Sequence, residues 1–351
     1  MSFLRNCWYM AGWGDELAEK PLGRKFLNEP VVMFRDEHGV AHALADRCPH
    51  RFLPLSLGHC AASGIVCAYH GLRFNAAGAC VANPKGEVPK NASVRRYPLT
   101  ERHAMLWIWM GDEARADPAL IPDFSFNDRA SNYLEGRYLL MQGNYQLATD
   151  NILDLSHIDF VHANSLAPLF SVAPRESVEV RQVGNSVWSD RYFHDVIPRS
   201  KGFERDGALP QDGQLYDRWI DVRWDAPACM LLWGGLVKKG DPKSQECNLL
   251  SVTHTHIFTP ETESVSHYWF GVSHRHSEGP EYEQRAKEGA QFLIVPFQAE
   301  DGPILAAQQQ SLGDQDFWDA KPVMLAGDAA ALRARRLLAQ MIATEQENGG
   351  G

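Results

Sequence analysis

The sequence lacks most of the features that assign a protein to a broad class at a glance. No stretch approaches the roughly 20 apolar residues that a bilayer-spanning helix requires; the strongest candidate, Ala228 to Val237, is interrupted and reads as a buried strand. Lys/Arg-rich blocks are absent, and the net charge of −10 would repel a phosphate backbone. Neither nucleic acid nor a membrane is an expected partner. The opening MSFLRNCWYMAGWGDEL has no basic start, long apolar core or small-residue cleavage site of the secretory kind, so a cytoplasmic location is expected. Seven cysteines are an odd set, poorly suited to a disulfide framework and better suited to metal binding in a reducing compartment. Low-complexity runs, internal repeats and a G-x-G-x-x-G dinucleotide unit are also missing.

At 351 residues the chain is longer than one core usually serves, and two domains are expected. Residues 1–111 contain short β-type runs at 31–34, 40–45, 64–69 and 106–110, separated by Gly, Pro, Asn and Asp, which predicts a small all-β domain. The acidic, proline-bearing GDEARADPALIPDF suits a connector, with the boundary at 111/112. In residues 112–351, a helical stretch at 145–161 precedes long strands around 178–193, 220–237, 249–258 and 265–273. Helices at 281–295, 301–312 and 329–346 follow. The fold class is therefore α+β: an all-β domain, then an antiparallel sheet covered by helices.

Two clusters in the β domain pair a thiol with an imidazole: Cys48-Pro49-His50 and Cys67-Ala68-Tyr69-His70. Tetrahedral zinc accepts the same ligand types. A zinc finger, however, usually takes two Cys from one knuckle and two His from a helix, whereas here each loop supplies one of each. That split suits a Rieske-type [2Fe–2S] centre, with both thiolates on one iron and both imidazoles on the other. Pro49 and Gly71 suit tight loops. Cys7, Cys60, Cys80, Cys229 and Cys247 have no such companions and read as structural.

A second group lies in Asp150-Asn151-Ile152-Leu153-Asp154-Leu155-Ser156-His157-Ile158-Asp159-Phe160-Val161-His162. Helical spacing puts Asp150, Asp154 and His157 on one face. His162, five after His157, requires the helix to loosen or end near Phe160. Two His and one carboxylate make the facial triad of non-haem Fe(II) oxygenases. Glu300 and Asp301 are the candidate carboxylates, and Asp301 is favoured because backbone amides at a helix start can hold a short side chain rigidly.

C-x-H-x16-C-x2-H followed by D-x3-D-x2-H-x4-H resembles the Rieske non-haem iron aromatic oxygenases. RNCWYMAGW, ADRCPHRFLPLSLG, CAYHGLRFN, DNILDLSHIDFVHAN and THIFTPETESVSHYWFG narrow the resemblance to the vanillate and dicamba O-demethylase group. The resemblance implies that Cys48, His50, Cys67 and His70 hold the [2Fe–2S] cluster, and that His157, His162 and Asp301 hold a mononuclear Fe(II). It further implies a head-to-tail homotrimer in which Asp154 bridges the cluster of one subunit to the iron of the next, with Asn151 close by. Electrons would come from NADH through a separate flavin and ferredoxin-type reductase.

The same resemblance makes His256 a substrate contact and places Leu232 and Phe292 where the dicamba enzyme has an amide and an indole. An apolar pocket of Leu232, Trp233, Trp269 and Phe292 is expected to take a small aromatic ring. The implied activity is O2-dependent O-demethylation of a methoxylated aromatic acid with release of formaldehyde. The alternative is methyl-group hydroxylation of an aryl sulfonate or carboxylate.

Overall fold

The computed structural model describes residues 3–62, 64–166, 170–171, 175–198, 213–244, 247–249 and 252–349. The chain forms two compact units, one of residues 2–123 with Thr259–Glu263, the other of Phe124–Phe258 and Ser264–Gly351 with residue 1. No helix among the described residues is long and apolar enough to cross a membrane.

The first unit is all β, in three small antiparallel sheets. Trp8–Trp13 pairs with Met105–Trp109, which pairs with Leu99–Arg102. Leu22–Phe26, Glu29–Arg35, Ala41–Ala45 and Arg96–Tyr97 make a second sheet, and His59–Ala61, Gly64–Val66, Arg73–Phe74 and Cys80–Ala82 a third. Alternation in the second and third sheets sends Val32, Phe34, Leu44, Ile65 and Phe74 into one core, where Cys48, Cys67, Leu55 and Leu72 join them. Each such apolar side chain contributes roughly 1.5–3 kcal/mol by leaving water, so the roots of both Cys/His loops are fixed by the core they help to fill. Residues Thr259–Glu263 return to this unit, where Thr259 Oγ1 donates to the Met10 carbonyl at 2.7 Å.

The second unit is an eight-stranded antiparallel sheet. Its order is Asn132–Met141, Ser266–Arg275, Val252–Pro260, Cys229–Lys238, Tyr216–Asp225, Ser186–Pro198 and Phe170–Ser171, with Arg175–Val183 also paired to Ser186–Pro198. Where the sequence suggested single long strands at 178–193 and 220–237, there are two hairpins. Gly184 and Asn185 form a two-residue turn between Val183 and Ser186, with Gly184 at φ 57°. The second hairpin turns between Asp225 and Cys229. Gly235 lies where a Cβ would come within 2.3 Å of the Trp219 ring, so only glycine fits there.

Among the described residues five α-helices accompany the sheet: α1 Tyr145–Leu153, α2 Ile158–Val161, α3 Glu281–Ile294, α4 Gly302–Leu312 and α5 Ala329–Gly349. Residues 145–161 are not one helix. Asp154 is extended (φ −116°, ψ 100°), closes α1 and caps a short 3-10 turn, Leu155–His157, by accepting from Ser156 N. Between α3 and α4 lies a π-helical turn, Val295–Asp301. Pro296 within it has no amide hydrogen for the ordinary α ladder, and such turns are frequent at functional sites.

Candidate metal centres

The two Cys/His loops are equivalent in their backbone. Cys48 N donates to Leu53 O (2.9 Å) and Phe52 N to Cys48 O (2.9 Å); in the other loop Cys67 N donates to Leu72 O (2.9 Å) and Gly71 N to Cys67 O (3.0 Å). Phe52 and Gly71 occupy the same place and share a left-handed backbone, φ 61° and 74°. Both cysteines are 2% exposed, whereas His50 and His70 lie at the exposed tips with ring centroids 4.4 Å apart. Burial holds the Cys48 thiol above its ordinary range, opposed by the backbone N–H groups of His50 and Arg51 and reinforced by the adjacent Cys67. Two sulfurs inside and two imidazoles outside fit a binuclear cluster with different ligands on its two irons. Among the described residues these four side chains do not converge as a single zinc would require; the one convergent group of three lies in the other unit.

That group is His157, His162 and Asp301, whose donor atoms lie within 4.8 Å of one another. Asp301 Oδ2 is 3.3 Å from His162 Nε2, and Oδ1 is 3.7 Å from His157 Nε2. The outward Nδ1 atoms are engaged: that of His157 with the Asp154 carbonyl (2.8 Å), that of His162 with Glu300 Oε2 (2.6 Å), which also accepts from Ser165 Oγ (2.6 Å). Such contacts orient both rings with Nε2 toward the shared point. Burial pulls the His162 pKa down, but hydrogen bonds and charge from Asp301 and Glu300 outweigh it, and the net shift is upward. Three donors of this type suit a divalent iron with coordination positions left for other ligands.

Asp301 is held differently from the sequence expectation. It ends the π-turn without a capping bond, and Asn151 Nδ2 donates to its Oδ1 at 3.0 Å. Asn151 is therefore in the site, and Glu300 stands beside it on the far nitrogen of His162. Asp150 is not in the site. The break at Asp154 ends the helical face it was expected to share, and its carboxylate pairs with Arg335 at 2.6 Å. The Asp154 carboxylate accepts from Ser156 Oγ (2.9 Å) and Arg191 Nη2 (3.1 Å).

Strand alternation decides what else faces the centre. His254 and His256 share a face, Leu232 pairs with His254, and Tyr268 Oη meets His256 Nδ1 at 2.8 Å. Phe297 of the π-turn packs on His256, Tyr268 and Phe270. Leu232 and His256 therefore share a face with the π-turn against it. The expectation for Trp233 and Trp269 was wrong: Trp233 packs with Trp219 and Trp269 with Tyr138 and His267, all on the opposite face. Periodicity of two sends neighbours of Leu232 and Tyr268 the other way. Phe292 lies on α3 and is 43% exposed. Sequence reasoning missed Tyr268, Arg191 and Arg218. Arg218 is paired with Leu236 on the Leu232 face, and burial pulls its guanidinium down to about 9. The D-R-W-I-D-V-R-W alternation was the available signal for it.

Two family models match this chain: the Rieske [2Fe-2S] domain over residues 7–98 and the vanillate O-demethylase oxygenase C-terminal domain over residues 141–344. The chain belongs to this family. Within it, the chain is 36% identical to the oxygenase component of dicamba O-demethylase from Stenotrophomonas maltophilia, over 96% of this chain and 97% of that one. It is 35% identical to the iron-sulfur subunit of the toluene-4-sulfonate monooxygenase system of Comamonas testosteroni, over 99% of both. The crystal structure of dicamba monooxygenase bound to dicamba superposes with a TM-score of 0.83 at 34% identity, covering 99% of this chain and 100% of that one. This family member thus has the all-β Rieske domain and the helix-covered antiparallel sheet expected of it.

Proposed function

We propose that the chain is the oxygenase component of an O2- and NADH-dependent monooxygenase system that demethylates a methoxylated aromatic acid. The observation that carries this reading is the convergence of His157, His162 and Asp301 in a chain that also presents the paired Cys/His loops. Cys48 and Cys67 would hold one iron of the [2Fe–2S] cluster and His50 and His70 the other, while His157, His162 and Asp301 would hold the mononuclear iron. When bound, the two centres supply single electrons and dioxygen activation. One oxygen atom ends on the methyl carbon and the other in water; the oxidised methyl group then leaves as formaldehyde, freeing the phenol. Residues 1–111 are assigned to electron entry and 112–351 to the oxygen chemistry.

The chain's own side chains position the reactants. Asn151 turns Asp301, the Asp154 carbonyl and Glu300 aim the two imidazoles, and Leu232 and His256 face the ring of the substrate, with Phe292 at the edge of the pocket. Electrons would arrive from a flavin and ferredoxin-type reductase. A head-to-tail homotrimer would let Asp154 link His157 to His70 of the partner subunit. Apolar side chains left in water at both centres support such packing: Phe52 and Tyr69, each 61% exposed, beside the His pair, and Phe160 at 84% between His157 and His162.

The test supplies the purified protein with reductase, NADH and O2, and offers vanillate, dicamba and toluene-4-sulfonate. Formaldehyde release with the methoxylated acids is the expected result. The identity to the toluene-4-sulfonate enzyme supports a second reading, methyl-group hydroxylation, whose product is the benzylic alcohol without formaldehyde. Absence of any substrate-stimulated NADH use would refute both.

A further inference from the structure

His256 and Tyr268 are buried in the sheet face under the π-turn, and the donor and acceptor strengths of the two groups assign the hydrogens between them. Tyr268 Oη and His256 Nδ1 lie 2.8 Å apart, and among the described residues this is the only hydrogen bond either side chain makes. The other ring nitrogen, Nε2, is buried and has no partner there. If Nδ1–H donated to Oη, the phenolic hydrogen and the Nε2 lone pair would be unmatched; if Tyr268 donates to Nδ1, the Nε2–H and the Oη lone pairs are. Strength decides between them: a phenol is a strong donor and a weak acceptor, and a neutral imidazole nitrogen is a strong acceptor, so O–H···N is the better bond and leaves unused only the weaker acceptor. Burial and the neighbouring His254 hold the imidazole well below its ordinary pKa, so the doubly protonated ring is disfavoured. Phe297 packs against both rings and Phe258 stacks on Tyr268 at 4.3 Å, which keeps either from turning away.

We propose that Tyr268 is a positioning residue that fixes the tautomer of His256, making its Nε2–H a neutral donor for an acceptor oxygen of the substrate. Recognition at this point is of a lone pair, such as a carboxylate or sulfonate oxygen offers, and not of charge by an imidazolium. The role of His256 toward substrate rests on the function proposed above; the tautomer does not.

Neutron diffraction from crystals of the deuterated holoprotein, with no substrate added, is expected to show deuterium on Tyr268 Oη pointing at Nδ1 and deuterium on Nε2. Deuterium on Nδ1 overturns the assignment. Calorimetric titration of the anaerobic holoprotein with vanillate and with toluene-4-sulfonate then reads the consequence. Tyr268→Phe should weaken binding about tenfold, since a freed ring spends part of its time with the wrong nitrogen protonated and loses one hydrogen bond. In a His256→Gln background, where the amide nitrogen is a donor whatever Tyr268 does, the same change should cost less than about twofold. Equal losses in both backgrounds make Tyr268 a packing residue and sink the proposal. Failure of the wild type to bind either acid would count against the proposed function, while the neutron map would still decide the tautomer.

Discussion

Glu300 and Asp301 are adjacent, both acidic and both on His162, yet the structure assigns them opposite sides of the ring. Asp301 faces Nε2, where a metal would sit; Glu300 accepts from Nδ1 at 2.6 Å. Asp301→Asn should therefore abolish stoichiometric iron binding, because the triad falls to two good ligands. Glu300→Gln should keep the metal but weaken it by about 10- to 100-fold, the usual cost of losing a carboxylate behind a ligating imidazole. That is about 1.4–2.8 kcal/mol. The proton competes with iron for His162, and the two carboxylates, against the pull of burial, raise its pKa in the metal-free protein. Iron affinity of the wild type should thus fall as the pH drops through that raised value. Glu300→Gln removes part of the raising charge, so the proton competes less. The gap between wild type and variant should narrow as the pH falls through that raised value. Anaerobic equilibrium dialysis against Fe(II), with the visible absorption of the cluster as a control for folding, measures all of this. Full iron retention in Asp301→Asn with loss in Glu300→Gln would exchange the two roles, and a gap that widens at low pH would refute the coupling through His162.

Three further outcomes are expected. Cys67→Ser should bleach the red-brown protein by removing a cluster thiolate, whereas Cys229→Ser, at a thiol buried in the sheet and pushed up by burial, should leave the visible spectrum unchanged. Asp154→Asn should retain both metals by elemental analysis and keep the wild-type assembly state by light scattering, yet slow electron delivery in single-turnover experiments; an unchanged rate would remove Asp154 from the path. Asp150→Ala leaves the Arg335 guanidinium, 6% exposed, without its carboxylate, and should cost about 3 kcal/mol in urea unfolding followed by circular dichroism; a loss under about 0.5 kcal/mol would mean that Gln146 and the Phe317 ring suffice.

Both Cys/His loops could be read from the sequence because their ligands are two or three residues apart and the loop backbone is local. His157 and His162 were legible for the same reason, including the end of the helix near Phe160. Contacts over long separations were not. Asn151 reaches Asp301 across 150 positions, and Asp150 is drawn away by Arg335 across 185, so helical periodicity placed Asp150 wrongly. Trp233 and Trp269 were expected in the pocket as apolar aromatics, while the pleat assigns them to the other face. Gly184 and Asn185 marked a hairpin that the continuous β-type pattern of 178–193 concealed.

The π-turn at Val295–Asp301 has a meaning in terms of insertions and deletions. A π-turn holds about one residue more than the α-helical path it replaces, and each residue of an α-helix rotates the chain by about 100°. Deleting one residue between α3 and Asp301 would restore the regular α ladder while leaving α3 and α4 near their present register, because the extra residue is absorbed within the turn itself. What such a deletion removes is the local bulge, and with it the backbone setting of Asp301 at the end of the turn. A loss of three nucleotides here would thus be tolerated by the fold far better than by the carboxylate's aim at His157 and His162.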